Sequence, residues 1–167
     1  MNFRALATLV VVSAVGITAS PSAQAADGKA EGTVTVNGKA TKLSFAYAKA
    51  VQGFFDPTKK DVEVVLSDVP LSVKQLDDMF ELMRMRDAGT LHTFEITLNS
   101  EGTPISTTWK HNGFKPPSPS GLSSADVFTK KIFDGKTVEG RYKSAKEKEF
   151  FGNTYSFDVS FRADIRH

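Results

Sequence analysis

Cysteine is absent from this 167-residue sequence. Its absence removes disulfides, thiolate metal sites, Fe–S clusters and a cysteine nucleophile from consideration. An excess of one charge is also lacking, since 21 Lys and Arg stand against 19 Asp and Glu. A nucleic-acid partner is therefore not expected, because phosphate neutralisation needs a dense basic face. The pairs Lys59-Lys60 and Lys130-Lys131 are too small to supply one. Histidine is scarce as well. His92, His111 and His167 include no pair at a chelating spacing, so neither a metal nor a cofactor is expected. His92 and Glu95 are three apart and would point to opposite faces of a strand. His111, beside Asn112-Gly113, reads as a solvated turn residue.

Catalytic patterns are missing too. No serine sits in a Gly-x-Ser-x-Gly elbow, and Ser118, Ser120, Ser123 and Ser124 fall in a polar loop. The carboxylate pairs Asp77-Asp78 and Glu147/Glu149 read as the polar side of a helix and a charged hairpin. His92 is the one weak catalytic candidate.

Only one long apolar run occurs, from Ala5 to Ile17, broken by Thr8, Ser13 and Gly16. It is shorter than the roughly 20 apolar residues a membrane helix needs. Arg4 precedes it, and Pro21 and the small-x-small triplet Ala23-Gln24-Ala25 follow, which is the three-part layout of a secretory signal. Residues 1–25 are thus expected to be cleaved near Ala25, leaving a periplasmic or extracellular domain over 26–167 with no transmembrane segment. Arg4 is the only charge removed, so the net charge of +2 becomes +1.

The full sequence is ordinary globular material, 40% hydrophobic and 24% charged, and 12 of its 13 phenylalanines lie beyond residue 25 to build a core without disulfides. Period-2 alternation dominates. Thr33–Val36 leads into Asn37-Gly38, a type I′ hairpin signal. The return strand puts Leu43, Phe45 and Tyr47 on one face and Ala46 and Ala48 on the other. Val62, Val64 and Leu66 alternate with Asp61, Glu63 and Val65, and Phe94, Ile96 and Leu98 with Thr93, Glu95 and Thr97. Ile105, Thr107 and Trp109, then Val138, Gly140 and Tyr142, give further strands. Tyr155, Phe157, Val159 and Phe161 form the clearest one. One dry and one wet face per strand indicate an antiparallel sheet.

One amphipathic helix is expected over about 72–87. Ser72 and Gln75 form a capping box, and Leu71 and Leu76 a hydrophobic staple. Val73, Leu76, Phe80 and Met83 make the expected core stripe, widened by Met79, Leu82 and Met85, and Gly89 is the stop. Pro116, Pro117 and Pro119 place a Pro/Ser loop, 115–124, outside any central ladder. The fold class is therefore mainly β: a single antiparallel barrel or sandwich of about seven to eight strands with that helix inserted mid-chain.

Two turns carry paired aromatics, Phe54-Phe55 and Phe150-Phe151. With Tyr47, Trp109, Tyr142 and Tyr155 assigned to the inward face, Phe54, Phe55 and Phe151 become the rim of a ligand-binding set. The expected function is a non-catalytic exported domain that binds a small apolar ligand or an envelope protein. The alternative is a small secreted enzyme, a hydrolase or isomerase with its site in a barrel mouth, and the third is a structural envelope protein.

Overall fold

The structure is a computed structural model and describes residues 28–167. The proposed signal, residues 1–25, lies outside the described residues. Strand β1 (Gly28–Val36) turns into β2 (Lys39–Lys42) through Asn37 and Gly38, whose φ values of 49° and 77° are those a type I′ turn requires. Next come β3 (Phe45–Gln52), β4 (Lys60–Ser67), the helices α1 (Val73–Leu76) and α2 (Met79–Asp87), β5 (Thr93–Leu98) and β6 (Pro104–Lys110). The chain closes with β7 (Val127–Phe133), β8 (Thr137–Lys143), β9 (Lys148–Phe150) and the long β10 (Asn153–Arg166).

These strands form one open, curled sheet in the order β6-β5-β4-β3-β1-β10-β8-β7, with β2 on β1 and β9 on β10. Pairing is antiparallel except where Ile165 and Arg166 of β10 run beside Ala48 and Lys49 of β3. The expected barrel or sandwich is thus a half-barrel whose main path has eight strands.

Alternation assigns the faces. Val34, Val36, Val62, Val64, Leu66, Phe94, Ile96, Leu98, Val138, Phe157, Val159 and Phe161 fill the concave side. Strand β3 reverses its expected facing: Ala46 and Ala48 point into this core, while Phe45 and Tyr47 join a second cluster on the outer face. Small side chains there leave room for the large rings of β5, β6 and β10.

Strand β7 escaped the alternation pattern. Its register shifts between Lys130 and Ile132, and a bulge of this kind breaks period 2. Between the free edges of β6 and β7 the ladder stays open. The Pro/Ser loop lies along that gap: the Gly121 N–H donates to the Thr107 carbonyl at 3.1 Å, and the Thr107 hydroxyl donates to the Gly121 carbonyl. At the far end of the gap, the Lys130 ammonium donates to the Glu101 carbonyl.

The single helix is a correction. The capping box forms as expected, with the Gln75 N–H donating to Ser72 Oγ and the Ser72 N–H to Gln75 Oε1. The helix then stops at Asp77, and Asp78 caps a second one by accepting from the Glu81 N–H at 3.0 Å. This break shifts the phase of the following residues. Leu82 is the buried residue of α2, whereas Phe80, expected in the core stripe, is 81% exposed. Gly89 ends α2 with φ at 69°.

Candidate functional site

The two helices cross the outer face of β3, β4 and β5, so over these strands the side expected to be wet is largely covered. Tyr47, Val65, Leu71, Leu82 and Leu91 form the apolar part of the seam. The Tyr47 hydroxyl accepts the Leu71 N–H at 2.7 Å and ties β3 to the start of α1. Where helix and sheet diverge, a groove of about 490 Å³ opens. Leu76, Met79, Leu82 and Met83 wall it on the helix side, and Lys49, Glu63, Glu95 and Lys110 come from successive strands of its floor.

The floor is an ordered set of charges. Glu95 is buried, and it accepts from the Thr93 hydroxyl at 2.9 Å, the Thr108 hydroxyl at 3.0 Å and the Lys110 ammonium. Lys49 pairs with Asp77 at 2.7 Å, and Arg166 lies 3.6 Å from the same carboxylate. Arg166 Nε is buried with no partner among the described residues. Glu63 sits directly across from Lys49 in the β3–β4 ladder, yet it makes no hydrogen bond or ion pair with a described residue. Burial, then the neighbouring Glu95 charge, holds its carboxyl above the usual carboxylate range.

The aromatic candidates separate into groups. Trp109, Tyr142 and Tyr155 pack with Phe94, Phe114 and Phe157 in one concave-side cluster, with ring centroids 4.4–6.2 Å apart. Lys148 lies over the Tyr155 and Phe157 rings and pairs with Asp126. Burial, reinforced by Asp126, pushes the Tyr142 phenol up to about 12. Tyr47 is on the opposite face of the sheet, although it and Trp109 both border the outer groove. Phe54 and Phe55 are 78% and 76% exposed where β10 ends, and Phe151 is 75% exposed where β10 begins. The two turns therefore lie at opposite ends of the half-barrel and share no rim.

The histidines meet. The His92 and His111 rings are 4.4 Å apart, although 18 intervening residues of unrelated pattern hide this in the sequence. His92 Nδ1 lies 2.6 Å from Asp68 Oδ2, and its Nε2 lies 3.0 Å from Asn112 Oδ1. His111 is buried rather than solvated, because the Asn112-Gly113 turn folds back over the end of the half-barrel. Its Nδ1 accepts the Gly113 N–H, so its Nε2–H donates to Thr41 Oγ1 at 3.2 Å. Burial, with His92 beside it, pulls its pKa down to about 4. A cleft of about 590 Å³ borders His111, Asn112, Phe114 and Arg86, but both His111 nitrogens are already occupied there. Among the described residues no group of three or more His, Cys, Asp or Glu side chains is placed to hold a metal ion.

No family model, curated protein or solved structure matches the chain. Its chemistry must be argued from its own residues.

The groove residues were visible only in part. Alternation separates Glu63 and Glu95 from the core, but no local signal says that helices would return to cover that face.

Proposed function

We propose that this chain is an exported, non-catalytic binding protein that holds a small amphipathic ligand in the groove between its helices and the outer sheet face. The supporting observation is the opposition of an apolar wall (Leu76, Met79, Met83) to a floor of fixed charges within about 490 Å³. Pockets of this kind bury an apolar body and orient it through a few placed polar groups. The segment Met1–Ala25, with its apolar run and Ala23-Gln24-Ala25 triplet, supports export.

Displacement of an anilinonaphthalene dye tests the groove. The dye should bind the wild type, and Met83→Trp, which fills the groove from the helix side, should weaken binding about tenfold or more without unfolding the protein. Equal binding by the variant would overturn this location.

A second reading, a small exported hydrolase or isomerase, draws on the Asp68–His92 pair, since an acid-oriented imidazole is the core of many acid–base sites. No hydroxyl among the described residues hydrogen-bonds His92. A nitrophenyl-ester turnover abolished by His92→Ala would favour this reading over the binding one.

A further inference from the structure

We propose that the groove selects ligands that carry a cation, an ammonium joined to an alkyl or aryl body, with Glu63 as the counter-ion. This inference rests on the groove reading above and specifies its ligand class.

The argument starts from how the local charges are committed. Glu63 stands opposite Lys49 on β3 and Thr97 on β5. An ion pair with Lys49 would be the simplest outcome of that register. Instead the Lys49 ammonium reaches away to Asp77 at 2.7 Å. Lys110 is taken by Glu95, Arg86 by Asp87 at 2.7 Å, and Arg166 leans on Asp77. Lys110 and Arg86 thus each have a carboxylate, Lys49 and Arg166 share Asp77, and Glu63 is the groove acid that no described cation reaches within ion-pair distance.

A half-buried carboxyl with no direct hydrogen bond or ion pair is unfavourable, and the more distant Lys110 and Lys49 charges offset that cost only in part. Its raised pKa expresses that cost. A ligand ammonium lodged at Glu63 would relieve it, while the Met79 and Met83 thioethers, which adapt to irregular shapes, would cover the apolar body. An anionic ligand would face Glu63, since the Glu95 charge is already matched by Lys110, and a neutral one would leave Glu63 without an ion pair. The charge pattern thus discriminates among ligands that the apolar wall alone would treat alike.

Octylammonium, 1-octanol and octanoate share one alkyl chain and differ only in the head. Each is titrated into the full chain and followed by calorimetry and amide chemical shifts, with circular dichroism to confirm that the variants fold. Octylammonium should bind wild type at least about tenfold more tightly than octanol. Glu63→Gln should erase that preference and leave octanol affinity unchanged. Glu63→Lys should move the preference to octanoate.

The octylammonium preference should also fall as pH drops through the raised Glu63 pKa, and this trend should vanish in Glu63→Gln. The control matters because Lys49, Asp77, Glu95, Lys110, Arg86 and Arg166 face the same groove. Equal wild-type affinity for octanol and octylammonium would overturn the cation inference and leave the groove reading standing. Binding by none of the three would overturn both.

Discussion

The carboxamide of Asn153 pairs with the backbone of Lys115 as a strand would, its Nδ2 donating to the Lys115 carbonyl and its Oδ1 accepting the Lys115 N–H, both at 2.9 Å. Asn153 is fully buried, and its Oδ1 also accepts from Asn37 Nδ2 at 3.1 Å. One side chain on β10 thereby fastens the start of the Pro/Ser loop and the β1–β2 turn. Asn153→Ala leaves the part-buried Lys115 backbone groups without partners and empties a fully buried site, so a loss of roughly 2–4 kcal/mol is expected in urea unfolding. Amide exchange over 113–122 should accelerate in the same variant. An unchanged exchange pattern would show that the loop is held some other way.

His111 makes stability depend on pH. The unfolded imidazole titrates near the ordinary 6.5, while the folded one is held down to about 4. Between those values the unfolded chain binds more protons, so stability rises with pH across that window. The contribution is complete above about 6.5 and is lost as pH falls toward 4, with a size of roughly 3 kcal/mol. Denaturant titrations at a series of pH values should show this slope, and His111→Gln should flatten it.

The phase of α2 can be read from two substitutions. Leu82→Ala should cost about 2–4 kcal/mol, since Leu82 is the buried residue of this helix in the outer seam. Phe80→Ser should change the unfolding free energy by no more than about 0.5 kcal/mol, as expected for an exposed position. The reverse ranking would restore a single unbroken helix with Phe80 in its core stripe.

Glu95 and Lys110 are coupled. Removing the carboxylate alone, by Glu95→Ala, leaves the largely buried Lys110 ammonium unpaired, at a cost of about 3–5 kcal/mol. Adding Lys110→Met to that variant should recover most of the loss. Additive costs in a double-mutant cycle would contradict the coupling.

Much of the sheet was legible because alternation is a local signal. The concave faces of β4, β5, β6, β8 and β10 follow directly from Val62-Val64-Leu66, Phe94-Ile96-Leu98, Thr107-Trp109, Val138-Tyr142 and Tyr155-Phe157-Val159-Phe161. The Asn37-Gly38 turn and the Ser72 cap are likewise two- to four-residue features. Local pattern fails where a choice depends on distant chain. Whether Phe45 and Tyr47 or Ala46 and Ala48 face the core is decided by the rings that cross from β6 and β10. Asp77-Asp78 resembles the polar side of a helix until Asp77 is drawn to Lys49 and Arg166 and Asp78 becomes a cap. The groove is the extreme case, since Glu63 is defined by where Lys49 and Lys110 send their charges.

Strand β10 occupies the centre of the sheet between β1 and β8, and its tip also reaches β3. To one side, β3 to β6 form a meander of neighbours in sequence, and on the other β7 and β8 form a hairpin. The β3–β4, β5–β6 and β7–β8 pairs can organise early through short loops, while β4 and β5 are joined by the helical connection. Joining the two sides requires a match such as Asn37 with Asn153, 116 positions apart in the chain. The loop entropy of that closure falls on a single late event, so this topology implies slow, high-contact-order folding. Until β10 docks, the two halves would have preassembled flanks but no common interior.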